Sequence, residues 1–230
     1  GEQREVFPSG LGPLDRHLGG GWHRGELAVV AGGTGGGKSA LLIQAAAACA
    51  NDDKKVRYFT IELPKEDVFD RMACALRGVS APDIKKFNAA RCALGALPLK
   101  IHGSFTTLAE ISGEIRAAVR AGDCDVAVVD YIQRVSHKAD TRELEVSAIA
   151  RTLKTLALRE NIVVLTASQL NDNGLLRESR AVGHEADFVL TIGDDGLRVD
   201  KFRRGPHGDL LPCHLLGAQS RFVPTARDGR

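Results

Sequence analysis

The stretch Gly32-Gly33-Thr34-Gly35-Gly36-Gly37-Lys38-Ser39 constrains this chain more than any other eight residues. It follows an apolar run at 26–31 and opens an Ala-rich one at 39–50. So many glycines continue neither a strand nor a helix, because glycine loses the most backbone freedom on ordering. The stretch is therefore a loop between a strand and a helix. In that setting the spacing Gly-x4-Gly-Lys-Ser has a direct use. Glycines let successive amides turn towards phosphate oxygens, and the helix N-terminus adds the positive end of its dipole. Lys38 can neutralise the β- and γ-phosphates of ATP, and the Ser39 hydroxyl can ligate Mg²⁺. Gly32, Gly33, Thr34, Gly35, Gly36, Gly37, Lys38, Ser39 and Ala40 are the expected nucleotide-binding residues.

Further strand-like runs lie at 56–61, 126–130, 163–167, 188–192, 197–202 and 210–216. Several are continuous Val/Ile/Leu/Ala, as expected of a sheet covered on both faces. Between them, Leu108, Ile111, Ile115 and Val119 recur at helical spacing behind a Thr107/Glu110 capping box, and Val146, Ile149, Leu153 and Leu156 mark another helix. Alternation of this kind predicts an α/β fold with a mainly parallel, twisted sheet flanked by helices. Gly205-Pro206-His207-Gly208-Asp209 reads as the loop of a C-terminal β-hairpin. No repeat or long linker divides the chain, so 1–230 is expected to be a single domain.

Hydrolysis needs carboxylates as well as a cradle. Asp130 closes a strand-like run where a metal-holding carboxylate is wanted, and Glu62 follows another. If that second strand lies beside the loop-bearing strand, Glu62 faces the γ-phosphate as general base. Glu66 or Asp67 could take that role instead. Gln169 ends the run beginning at Val163, where open α/β sheets bind ligands, and could sense the γ-phosphate. Basic residues gather at Arg177-Glu178-Ser179-Arg180 and at Lys201-Phe202-Arg203-Arg204. Such runs are usually solvated faces, but Lys201 and Arg203 alternate and so share one face of a strand. The guanidinium fork suits phosphate, including that of an ATP on a neighbouring subunit.

Composition removes several classes of function. The 31 basic and 29 acidic residues leave a net charge of only +2, so this is no nucleic-acid coat. Five widely spaced cysteines without a C-x-x-C pair read as reduced thiols, several of them buried. Cys213-His214 lacks a second pair at finger spacing, which argues against zinc. No apolar run reaches membrane-span length and no secretory segment opens the chain, so no membrane partner and a cytoplasmic location are expected. A first residue of Gly suggests a piece of a longer protein.

Taken together these segments resemble the C-terminal, RecA-like motor domain of DnaB-type replicative helicases, from about Gly10 to Phe222 and in the family's order. The residues that carry the resemblance are Gly10-Leu11-Gly12-Pro13-Leu14-Asp15, Glu62-Leu63-Pro64 with Arg71-Met72, Asp130-Tyr131-Ile132-Gln133, Ser168-Gln169-Leu170-Asn171, Arg177-Glu178-Ser179 with Glu185-Ala186-Asp187, and Lys201-x-Arg203-x-Gly205-Pro206. The resemblance implies that Glu62 activates water, Asp130 and Ser39 hold Mg²⁺, and Gln169 senses the γ-phosphate. It implies that Lys201 and Arg203 reach a neighbouring subunit's ATP, while Arg177, Glu178 and Arg180 contact DNA. It further implies a homo-hexameric ring on single-stranded DNA, moving 5′ to 3′ in replication, with a primase or helicase loader as partner. The family's N-terminal collar is absent from this sequence, Arg180 stands where the family commonly has Gly, and Arg134 stands at a usually apolar position. A RadA- or KaiC-like recombination or regulatory ATPase is the alternative, favoured slightly by Leu18-Gly19-Gly20-Gly21.

Overall fold

A sheet of eight strands in the order β3-β2-β4-β5-β1-β6-β7-β8 organises the molecule. The computed structural model describes residues 5–170 and 180–225. The strands are β1 (Leu27–Gly32), β2 (Val56–Thr60), β3 (Leu99–His102), β4 (Val126–Asp130), β5 (Val163–Gln169), β6 (Phe188–Gly193), β7 (Gly196–Phe202) and β8 (Leu210–Leu211). A separate pair is formed by β9 (Cys213–Leu216) and β10 (Arg221–Pro224). The six strands from β3 to β6 run parallel, and β7 and β8 continue the sheet antiparallel.

Both faces are covered, as the continuous apolar runs predict. Along β1, Ala28 and Val30 face one core while Leu27 and Val29 face the other, and β4 divides Val126 and Val128 from Ala127 and Val129 in the same way. The first core is closed by α1 (Gly12–Leu18), α2 (Lys38–Asn51), α3 (Lys65–Arg77) and α4 (Ile84–Gly95). The second is closed by α5 (Leu108–Arg120), α6 (Arg142–Glu160) and α7 (Arg180–Glu185). Thr107 caps α5 as its sequence predicts: its Oγ1 accepts from Glu110 N at 3.2 Å, and Glu110 Oε2 accepts from Thr107 N at 3.0 Å. No helix among the described residues is long and apolar enough to cross a membrane. Cys49, Cys74, Cys124 and Cys213 are buried and Cys92 is exposed.

Two expectations need correction. The strand that delivers Glu62 does not lie beside the loop-bearing strand, because β4 and β5 separate β2 from β1. Helix α2 bridges the gap by packing back across β5, β4 and β2, a crossover a parallel sheet requires. The run at 210–216 is not one strand either. It breaks at Pro212, which has no N–H to donate, so β8 pairs with β7 while β9 turns away to pair with β10.

Candidate active site

The carboxyl ends of the central strands are where open α/β sheets take ligands, and Lys38, Ser39, Glu62 and Gln169 meet there. Thr34 to Ala40, Glu62, Leu63, Arg71, Tyr131, Gln169, Leu215, Gly217 and Ser220 line one cavity of ≈ 470 Å³. The loop after β1 turns tightly through Gly36 N donating to Gly33 O at 3.2 Å, with Gly35 at φ 74° and Gly37 at φ 93°. Lys38 Nζ donates to Gly32 O at 3.0 Å and to Gly33 O at 2.6 Å, so the loop's own carbonyls hold the ammonium over the cradle. Burial pulls the Lys38 ammonium below the usual lysine range, against the opposing pull of Asp130 and Glu62.

Asp130 is buried beneath the loop. Ser39 Oγ donates to its Oδ1 at 3.2 Å, and the buried Tyr58 hydroxyl donates to its Oδ2 at 2.7 Å. Burial raises the Asp130 pKa, while the hydrogen bonds from Tyr58 and Ser39 hold it down. A hydroxyl and a carboxylate so close together form an all-oxygen donor pair that suits a hard cation such as Mg²⁺, which takes few protein ligands beside phosphate. Glu62 sits just past β2 on the cavity wall, its side chain 47% exposed. Glu66 and Asp67, the alternatives, lie exposed in the first turn of α3 and do not line this cavity.

The Gln169 side-chain amide, also at the cavity, donates to Thr34 Oγ1, tying the end of β5 to the loop. Gln133 supports it: its Nε2 donates to Ser168 Oγ at 2.9 Å and its Oε1 accepts from Gln169 N at 3.3 Å. Tyr58, Arg71, Tyr131 and Gln133 join the site without a role that their own sequence positions announce. A tyrosine within the buried run 56–61 was a usable signal for the first, since a buried phenol needs a partner.

Another wall, which its sequence likewise does not announce, comes from the far end of the chain. Gln44 on α2 anchors β10, its Nε2 donating to Phe222 O at 3.1 Å and its Oε1 accepting from Phe222 N at 2.7 Å. This lays the β9–β10 hairpin over the loop so closely that a Cβ on Gly37 would meet Phe222 Cζ at 2.9 Å and Leu215 Cδ2 at 3.0 Å. With positive φ adding its own strain, Gly37→Ala should destabilise the fold by about 1–3 kcal/mol and weaken nucleotide binding. Thermal unfolding with and without nucleotide measures both; an unchanged midpoint and affinity would show that the hairpin yields freely.

Lys201 and Arg203 do not line the cavity of their own chain. Both reach the carboxyl end of α7: Lys201 Nζ donates to Gly183 O at 2.8 Å and His184 O at 2.9 Å, and Arg203 Nη2 donates to His184 O at 3.5 Å. Arg203 Nη1 also lies 3.4 Å from Asp187 Oδ1, leaving its side chain 53% exposed. Arg177 and Glu178 lie outside the described residues, and Arg180 is described only as the first residue of α7.

Residues 7–207 match the family model of the DnaB-like helicase C-terminal domain. The chain is 30% identical to the replicative DNA helicase DnaB of Mycoplasma pneumoniae, over 95% of this chain and 53% of that protein. It is 27% identical to the replicative DNA helicase DnaC of Bacillus subtilis, over 82% of this chain and 47% of that protein. It thus spans about half the length of these relatives. Among solved structures, an ATPase domain superposes with a TM-score of 0.85 at 21% identity, covering 96% of this chain and 92% of the other. A DnaB-like replicative helicase, described with its interactions with primase, gives 0.89 at 22% identity, covering 98% of this chain and 65% of the other. These superpositions establish the RecA-like fold, and the relatives do not favour the recombination alternative.

Proposed function

The chain belongs to the DnaB-like helicase C-terminal domain family, and from that premise we propose that residues 1–230 form the single motor domain of an ATP-driven replicative DNA helicase. Its track is single-stranded DNA, its assembly a homo-hexameric ring, and its direction 5′ to 3′, with a primase or a helicase loader as partner. One observation carries this reading: Lys38, Glu62 and Gln169, from three separate places in the chain, share one cavity, with Asp130 beneath it bonded to Ser39.

In this mechanism the loop from Gly32 to Ala40 wraps the phosphates, and Lys38 exchanges its loop carbonyls for β- and γ-phosphate oxygens. Ser39 and Asp130 would hold Mg²⁺, which when bound neutralises charge between the β- and γ-phosphates. Glu62 takes the proton of the attacking water, while Gln169, braced by Gln133, reports on the γ-phosphate to the end of β5. Lys201 and Arg203 complete the adjacent subunit's site, and Arg177, Glu178 and Arg180 contact the DNA backbone. The near-neutral net charge supports a few placed DNA contacts in place of a basic surface.

The test is strand displacement by the whole chain on forked substrates, beside ATPase with and without single-stranded DNA. A 5′-tailed fork should be unwound and a 3′-tailed one left intact, with DNA raising turnover and Lys38→Ala abolishing both activities. DNA-independent hydrolysis without any displacement, in a particle whose mass is that of a ring, would defeat the helicase reading.

A further inference from the structure

Glu62 has a cationic partner at the rim of the cavity: Arg134 Nη2 lies 3.5 Å from Glu62 Oε1. Both backbones are tied down. The turn carrying Glu62 is closed by Thr60, whose Oγ1 donates to Leu63 O at 2.7 Å and accepts from Leu63 N at 3.2 Å. Ile61 N donates to Asp130 O at 3.2 Å, fixing the turn to the end of β4. Arg134 ends the short 3₁₀ turn Ile132–Arg134, where its N donates to Tyr131 O at 3.0 Å and the preceding Gln133 is held by Ser168 and Gln169. What remains adjustable is the pair of side chains, 47% exposed for Glu62 and 55% for Arg134.

The direction of the Glu62 carboxylate is then set by its charged neighbours. Lys38 attracts it from the loop, on the cavity side. Arg134 engages it from a position that does not line the cavity, with its guanidinium 5.9 Å from the centre of the Tyr131 ring. The single Nη2–Oε1 contact at 3.5 Å draws the carboxylate by charge, as any cation held in that place would. A half-exposed pair is also weak enough to open and close within a catalytic cycle.

We propose that Arg134 is a positioning residue for Glu62: it holds the carboxylate at the rim of the cavity, and this hold must be broken before Glu62 can accept the proton of the attacking water. The idea rests on the reading of Glu62 as the general base. Arg134 thereby restrains hydrolysis in the chain without DNA. Glu62 and Lys38 do the chemistry, and Arg134 sets how often Glu62 is available for it.

The experiment compares Arg134→Leu, Arg134→Gln and Arg134→Lys with the parent chain, and repeats Arg134→Leu in the Glu62→Gln background. Arg134 is exposed, so none of these changes disturbs the core. Without DNA, the Leu and Gln variants should raise kcat about 1.5- to 5-fold, the range an exposed ion pair can hold back, with KM for ATP unchanged. Arg134→Lys should return most of the restraint, which loss of packing against Tyr131 alone would not explain. In the Glu62→Gln background, Arg134→Leu should leave the residual single-turnover rate where it was, because the pair acts only through that carboxylate. An unchanged or lower kcat in both neutral variants, with Glu62→Gln inactive, overturns the restraint and leaves the base assignment standing. An equal rise in the Glu62→Gln background also overturns it, by showing that Arg134 acts elsewhere. Near-normal turnover of Glu62→Gln itself removes the base assignment and the restraint together.

Discussion

Arg203→Ala should lower DNA-stimulated ATP turnover by roughly 10³–10⁵-fold while the isolated chain's nucleotide affinity stays near its parent value. The expectation follows from where Arg203 stands. It does not line its own chain's cavity, it is half exposed, and it shares its approach with Lys201, which leaves it available to a neighbour. An arginine supplied to a transferring phosphoryl group stabilises charge that develops only in the transition state, so its loss appears in turnover and not in binding. The variant should fold. Asp187, which pairs with Arg203, keeps Lys154 Nζ at 2.6 Å and Leu27 N at 2.8 Å, so no buried carboxylate is left bare. Mixing Arg203→Ala with Lys38→Ala subunits tests action in trans. Only mixed oligomers contain an interface with an intact Lys38 loop facing an intact Arg203, so the mixture should regain some ATPase. Zero activity despite demonstrated subunit exchange means that Arg203 serves its own subunit or that every site in the ring must be intact. Normal turnover by Arg203→Ala alone rules out the role.

Glu62→Gln should cut turnover by about 10²–10⁴-fold, the usual contribution of a positioned base, with nucleotide still bound. The substitution keeps the shape of the side chain and removes the acceptor for a proton. Glu62 borders the cavity that holds Lys38 and Gln169, whereas Glu66 and Asp67 lie outside it on α3. Nucleotide titration and steady-state turnover on one preparation separate binding from chemistry. Turnover close to the parent's would return the role to Glu66 or Asp67, with α3 then having to move towards the cavity.

The readings that succeeded from sequence are those whose physics is local. The glycine loop is legible because strand, loop and helix N-terminus follow within a few residues of one another, and the observed helix begins at Lys38. The capping box at Thr107 and Glu110 closes over three residues, so spacing alone predicts it. Asp130 and Gln169 end apolar runs, and in a parallel sheet the ends of central strands meet at one edge. Short elements escaped. Strand β3 has four residues at the sheet edge, and β10 has four and ends in Pro224, so neither offers a long enough pattern to stand out from its surroundings.

Tertiary structure decided whatever depends on strand order or on partners far apart in the chain. Glu62 reaches the cavity although two strands, β4 and β5, stand between β2 and β1, because α2 spans them; propensity carries no information about that order. The wall formed by Leu215, Gly217 and Ser220 exists because Pro212 breaks a strand and Gln44 ties β10 back over Gly37. Tyr58 beneath Asp130, Arg134 beside Glu62, and Lys201 and Arg203 on α7 are likewise contacts between elements. The sequence by itself marked the residues that sit in local motifs, the glycine loop with Lys38 and Ser39, and Asp130 and Gln169 at strand ends. Only the packed sheet decided which of them touch, because side-chain contacts across the fold are set by strand order and by the few ångströms of room left between packed elements.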